Sequence, residues 1–262
     1  MSRLLILNGN PLEVIAAGSP DYAQVFSQVF RALDPSVDLD VLNPNHEPLT
    51  DDALEFVDGV VFTGSSTVYA ADAPEAEPHR RAMEQVFALG LPVWGSCNGM
   101  QLAGVVLGGK VGASPKGVEI GLGRALTLTE AGQGHPMMAG RKPVFTACTI
   151  HRDEVQALPA DAVLLATNDH SPVQAFTVSK GGVDFWGTQY HPEIAPPLIA
   201  DALRRRDGDA QLAEDMDNAE SDPDAAARLG AAPGDLDLPV RAMELCNWLA
   251  HVRARKSGAQ AA

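Results

Sequence analysis

Cysteine is scarce in this sequence. Cys97, Cys148 and Cys246 are its only three, too widely spaced for a disulfide framework or a zinc-binding pattern. Nothing approaches the about 18 consecutive apolar residues of a membrane span. The opening MSRLLILNGNP lacks the length and the small-residue cleavage site of a secretory signal. These absences fit a reducing cytoplasm. Positive charge is also short: 19 Lys and Arg face 34 Asp and Glu, for a net charge of −15. That balance argues against a nucleic acid or an anionic membrane as partner. No phosphate-binding P-loop occurs, and no residue pattern calls for a metal or cofactor.

What is present is an alternation of apolar runs with amphipathic stretches, the pattern of an α/β fold. Runs at 3–9, 37–44, 56–65 and 92–94 read as strands, with helices at 21–33 and 78–90. After residue 107 come shorter β-like pieces at 119–129, 143–155, 162–168, 172–178 and 183–193. Helical stretches at 197–206 and 241–256 follow. We expect an open, mostly parallel, twisted sheet with helices on both faces, in one domain over 1–262. Residues 207–238 hold ten acids against the single base Arg228. They read as a solvated, partly disordered insertion before the C-terminal helix.

The chemistry gathers around PVWGSCNGMQ, residues 92–101. Gly95-Ser96-Cys97-Asn98-Gly99 has the form of a nucleophile elbow, a sharp strand-to-helix turn whose glycines admit close backbone neighbours. A thiol there sits at the positive end of a helix, which favours a thiolate. A buried structural cysteine in a glycine-rich turn is the plainer alternative. A reactive cysteine needs a base, and the base needs an orienter. His191-Pro192-Glu193 supplies both at the end of FWGTQYHPE, since residues two apart on an extended segment point the same way. His46, His79, His135, His170 and His251 are weaker candidates, while His151 in TIHRDEV reads as a pocket residue.

The elbow GSCNGMQ, the closing TQYHPE, the loop FTGS, VEIG at 118–121 and IHRDEV at 150–155 together resemble the class I glutamine amidotransferases. The resemblance covers about residues 40–200. It implies a flavodoxin-like fold with Cys97 as nucleophile, His191 as base and Glu193 as orienter. It further implies an oxyanion hole from the backbone N–H groups of Gly64 and Asn98, with Gln101, His151 and Glu119 at the amino-acid end of a small-molecule substrate. One departure stands out: Ile150 occupies a position that is usually small and polar. A second is that no synthetase domain follows.

The implied reaction is hydrolysis of the γ-carboxamide of glutamine, or of a γ-glutamyl amide, through a γ-glutamyl thioester. A glutaminase subunit feeding ammonia to a separate synthetase partner is the alternative, and a catalytically silent binding member is another. Leu12, Val14 and Ile15, in the long loop after the first strand, are expected to wall the site for a larger leaving amine.

Overall fold

The computed structural model describes residues 1–261. Its strands are β1 (Arg3–Leu7), β2 (Asp38–Leu42), β3 (Gly59–Phe62), β4 (Pro92–Ser96), β5 (Lys110–Ala113) and β6 (Glu119–Leu128). β7 (Val144–His151), β8 (Asp153–Ala157), β9 (Val163–Thr167), β10 (Ala175–Val178) and β11 (Asp184–Thr188) complete them. The main sheet runs β2-β1-β3-β4-β11-β10-β9-β6-β7. From β2 to β11 every pairing is parallel, and from β11 to β7 every pairing is antiparallel.

The parallel half is buried on both faces, and the side-chain alternation of a strand sorts its residues between two cores. Leu4 and Ile6 join Phe26, Phe30, Trp94 and Trp248 on one side. Leu5 and Leu7 join Phe62, Met83, Val86 and Val93 on the other. The helix Tyr22–Leu33 covers the first face, and its start is capped by Asp21, whose carboxylate accepts from the N–H groups of Ala23 and Gln24. The helix Glu77–Ala88 contributes Met83, Val86 and Phe87 to the second face.

Such a sheet brings the loops at its carboxyl edge together. The loops after β1 and β3 are tied by the Gly9 N–H, which donates to Thr63 Oγ1 at 2.8 Å. The stretch 143–155, read from sequence as one β segment, is two strands. β7 ends at His151 in the main sheet, while β8 pairs with β5 in a separate two-stranded sheet. Arg152 stands at the break.

The acidic stretch differs from the expectation of a disordered insertion. It forms the helices Ala210–Asn218 and Pro223–Leu229, and it builds a third core. Ala213, Met216, Ala226 and Leu229 point inward against Leu122, Cys148, Ile199 and Leu203. Two of the acids start the helices: Asp209 accepts from the Leu212 N–H and Asp222 from the Asp224 N–H. Asp215 is bound by the Arg228 guanidinium. The charge lies on one face and at the caps, so net charge alone concealed an apolar stripe of alanines. Among the described residues, no helix is long and apolar enough to cross a membrane.

Candidate active site

β4 runs fully buried between β3 and β11 and stops at Ser96. The chain then turns through Cys97, at φ 48° and ψ −99°, into the helix Asn98–Val106. A non-glycine residue held there is strained, and its neighbours must enforce it. A Cβ on Gly99 would lie 2.2 Å from the carbonyl oxygen of Phe62, so only glycine lets the elbow helix approach β3. On Gly95 a Cβ would lie 2.8 Å from both the Gly99 carbonyl carbon and the Phe185 ring. The Cys97 N–H donates to Thr188 O at 2.7 Å, tying the turn to the end of β11.

His191 and Glu193 come from the loop that follows β11. Strand geometry ends at Thr188, so the two side chains meet through a turn rather than through strand alternation; its marker is the Ile194 N–H donating to His191 O. His191 Nδ1 lies 2.7 Å from Glu193 Oε1. Ser96 Oγ donates to the same oxygen at 2.8 Å. Glu193 and His191 are each about 1% exposed. Burial alone would favour a neutral imidazole. The Glu193 carboxylate and the adjacent Cys97 more than offset it, and His191 is held well above its ordinary pKa. The Tyr22 ring stacks on the imidazole with centroids 6.3 Å apart and planes 16° from parallel.

The other imidazole nitrogen, Nε2, faces Ile150 O at 3.4 Å, and Cys97 Sγ lies 3.8 Å from that same carbonyl. Thiol and imidazole therefore meet over one backbone oxygen. Gly64 closes the other side: a Cβ there would fall 3.2 Å from His191 Cε1 and 3.8 Å from Cys97 Cβ. Among the described residues, no protein acceptor takes the backbone N–H of Gly64 or of Asn98. Two free N–H groups flanking a thiol can receive the oxyanion of an acyl-transfer intermediate.

A cavity of about 200 Å³ opens over the sulfur, lined by Ser66, Tyr69, Asn98, Gln101, His151 and Asp153 among others. Gln101 is committed on one side: its amide nitrogen donates to Asp153 O at 2.7 Å and to Gln189 Oε1 at 3.2 Å. Gln189 in turn donates to Cys97 Sγ at 3.3 Å, a contact that would solvate a thiolate. Arg152 holds Asp153 with two hydrogen bonds, at 2.8 and 2.7 Å, and donates to Val68 O. A cleft of about 970 Å³ lies at the opposite, amino end of β3 and β4, between Phe56, Pro92 and Lys256, and of the candidates it holds only the weaker one His251.

Two expected contributions are placed elsewhere. Glu119 does not line the cavity over the sulfur. It sits behind His151, accepting from His151 Nε2 at 2.7 Å, Asn168 Nδ2 at 2.7 Å and Gln174 Nε2 at 2.9 Å. Burial pushes its carboxyl up, but those three donors outweigh burial and hold it below the usual carboxylate range. Pairing Glu119 with His151 across β6 and β7 makes this arrangement, so Glu119 orients a lining residue. Leu12, Val14 and Ile15 likewise line neither the cavity over Cys97 nor its neighbour, because the loop after β1 coils into the short helix Leu12–Ala16 and turns outward.

Several residues were not singled out from the sequence. Gln189 lies two positions before His191 in the same turn, and its contact with Cys97 Sγ carries no local sequence signal. Ser96 was inside the elbow but silent until its hydroxyl was seen on Glu193. Tyr22, at the start of a distant helix, and Arg206, in the turn after another, reach the cavity, which no local pattern reveals.

The family described as "Glutamine amidotransferase class-I" matches residues 21–203. A γ-glutamyl-L-1-hydroxyisopropylamide hydrolase from a Pseudomonas species is 30% identical over 277 residues, covering 95% of this chain and 92% of that protein. A glutamine-hydrolysing GMP synthase from Clostridium novyi is 32% identical over 145 residues, 55% of this chain. The match spans only 26% of that synthase's length. A glutamine amidotransferase structure from Thermotoga maritima superposes with a TM-score of 0.68 at 20% identity, over 96% of this chain and 97% of that one. A second, from Methylobacillus flagellatus, gives 0.63 at 20% identity, over 97% and 92%. At that identity the shared feature is the fold.

Proposed function

The chain belongs to the class I glutamine amidotransferases, and from that premise we propose that it hydrolyses γ-glutamyl amides on its own, with Cys97 as nucleophile. It is an enzyme of this class, acting on a γ-carboxamide. The observation that carries the assignment of roles is the alignment of Ser96, Glu193 and His191 behind a strained Cys97 whose flanking N–H groups are free.

The raised pKa of His191 favours an imidazolium beside the sulfur, the partner a thiolate needs. Cys97 Sγ attacks the γ-carbonyl carbon, and the oxyanion is received by the Gly64 and Asn98 N–H groups. As the C–N bond breaks, His191 gives its Nε2 proton to the departing amine, leaving a γ-glutamyl thioester on Cys97. A water then loses a proton to His191, adds to the thioester carbon and releases glutamate. Glu193, holding Nδ1–H, keeps the ring in the orientation that leaves Nε2 for these transfers. Gln101 Oε1, which accepts from no described residue, suits the substrate's ammonium group on the side of the cavity that Asp153 also lines. We take the whole chain as one domain in a reducing, cytoplasmic setting, where Cys97 remains a thiol. No step requires a cofactor or metal.

Support for an independent hydrolase comes from the relative that this chain spans almost end to end. The synthase matches favour a second reading, a glutaminase subunit passing ammonia to a partner. Purified protein assayed on glutamine and on a set of N-substituted γ-glutamyl amides separates the two. Faster cleavage of substituted amides is the expected result. Efficient turnover of glutamine alone overturns it in favour of the subunit.

A further inference from the structure

A second cavity, of about 220 Å³, adjoins the one over Cys97. The two share Tyr22, Ser66, Ile150 and Arg206. Two of those four also decide where a leaving group must go. The departing nitrogen has to face His191 Nε2, which sits 3.4 Å from Ile150 O beneath the stacked Tyr22 ring. With the γ-carbonyl at Cys97 and the glutamyl ammonium toward Gln101 and Asp153, anything attached to that nitrogen extends past Tyr22 and Ile150. That path leads into the second cavity.

The second cavity has a definite chemistry. One wall is apolar: Ile194, Leu198, Ile199 and Ala202 come from the turn after Glu193 and from the helix Pro196–Arg204, facing Ser19, Tyr22 and Ser66 on the other side. Its rim is cationic: Arg205 and Arg206, just past the end of that helix, both line it. Arg204 is paired with Asp201 and Asp217, whereas neither Arg205 nor Arg206 meets a carboxylate among the described residues. In a chain where acids outnumber bases 34 to 19, two adjacent uncommitted guanidinium groups at a cavity mouth are a site for an anion. Ile150, at a position that the family resemblance implies is usually small and polar, joins this apolar wall.

Resting on the hydrolase reading, we propose that this cavity is the leaving-amine subsite and selects amines that carry both a short apolar chain and a carboxylate. The substrate class is then a γ-glutamyl conjugate of an amino acid, with its carboxylate on Arg205 and Arg206. Arg205 is the discriminating residue, because it lines this cavity and not the one over the sulfur.

The test compares γ-glutamyl-leucine with γ-glutamyl-isoamylamide, which has the same carbon chain without the carboxylate. Wild-type kcat/KM should favour the former by about tenfold or more, the worth of one charge-assisted hydrogen bond. Arg205→Gln, a change at an exposed side chain with little risk to folding, should bring the ratio close to one, and Arg205→Lys should restore part of it. Equal cleavage of the two amides by wild type, or a ratio unmoved by Arg205→Gln, overturns the carboxylate subsite and leaves the hydrolase reading standing. Cleavage of glutamine with neither amide accepted overturns both.

Discussion

The guanidinium of Arg241 donates to the carbonyl of Pro192 at 3.1 Å, gripping the residue between His191 and Glu193 from behind. Arg241 is buried, its other hydrogen bond goes to Leu236 O, and burial holds its pKa below the ordinary arginine value. A cation kept out of water with only carbonyl partners is expensive unless it fixes something. What it fixes is the turn that presents imidazole to thiol. Arg241→Met should therefore lower kcat by about tenfold or more while moving KM little, since the lost constraint acts on the reacting geometry rather than on substrate binding. Arg241→Lys, with one donor group in place of a fork, should recover part of the loss. A rise in KM at unchanged kcat would show that Arg241 serves the pocket instead.

All three cysteines are free thiols, and they should differ sharply in reactivity. Cys97 meets the cavity, the imidazolium and the Gln189 amide. Cys148 is fully buried in the third core, and burial pushes its thiol up to about 12. A glutamine-like diazoketone at neutral pH should label Cys97 and spare Cys148. Cys97→Ala should fold normally and lose hydrolysis by at least a thousandfold, while Cys148→Ala stays active. Stoichiometric labelling of Cys148 would reverse the assignment.

Glu193→Gln should keep the fold and lower kcat by about a hundredfold with a smaller change in KM. The mutation removes the carboxylate that offsets the burial of His191. The imidazole pKa should then fall, and the thiolate–imidazolium pair should weaken. In the pH profile of kcat/KM, the alkaline limb, where His191 loses its proton, should move to lower pH. A profile and a kcat both unchanged would mean that Ser96 alone orients the ring.

The acidic helices should be structural. Met216 is fully buried against the third core, and Leu229 is 1% exposed. Met216→Ala should cost about 2–5 kcal/mol, the usual range for truncating a buried side chain to alanine. Deleting residues 210–230 should prevent folding or expose Cys148 to thiol reagents. Full stability after deletion, measured by urea unfolding, would restore the picture of a dispensable insertion.

What the sequence made legible follows from how local each signal is. Cys97 and its glycines were readable because the elbow imposes its sterics within five residues. His191 and Glu193 were readable because the ring and its carboxylate come from the same short turn. Glu119, which the resemblance implied at the amino-acid end of the substrate, stands behind His151 instead of on the cavity, because a family motif says which residues gather and not which neighbour covers them. The fate of Leu12, Val14 and Ile15 depended on a short helix whose burial pattern leaves all three outward or half-exposed. The acidic stretch misled for another reason. Composition counts charge without regard to face, and alanine is too weakly hydrophobic to outweigh ten acids in such a count. The subsite formed by Tyr22, Ile150 and Arg205 joins three distant segments, and only the tertiary fold assembles it.

His79 should set part of the acid limit of stability. It lies in the helix Glu77–Ala88 at 3% exposure, its Nε2 has no hydrogen-bond partner among the described residues, and burial lowers its pKa from 6.5 to about 4. Below pH 6.5 the unfolded chain takes up this proton before the folded one does. The unfolded state thus binds more protons across the window from 6.5 to about 4, and stability falls as pH falls through it. A shift of that size corresponds to about 3 kcal/mol by the lower end of the window. His191 acts in the opposite sense: its raised pKa adds stability that is fully present below the unfolded value and is lost only as pH rises through the folded one. The two contributions therefore separate by pH. Urea unfolding of wild type and His79→Leu at pH 7, 5.5 and 4.5 should give curves that diverge toward acid, with the variant losing less. Parallel pH dependence in the two proteins would show that His79 is already protonated, or hydrated, in the folded state.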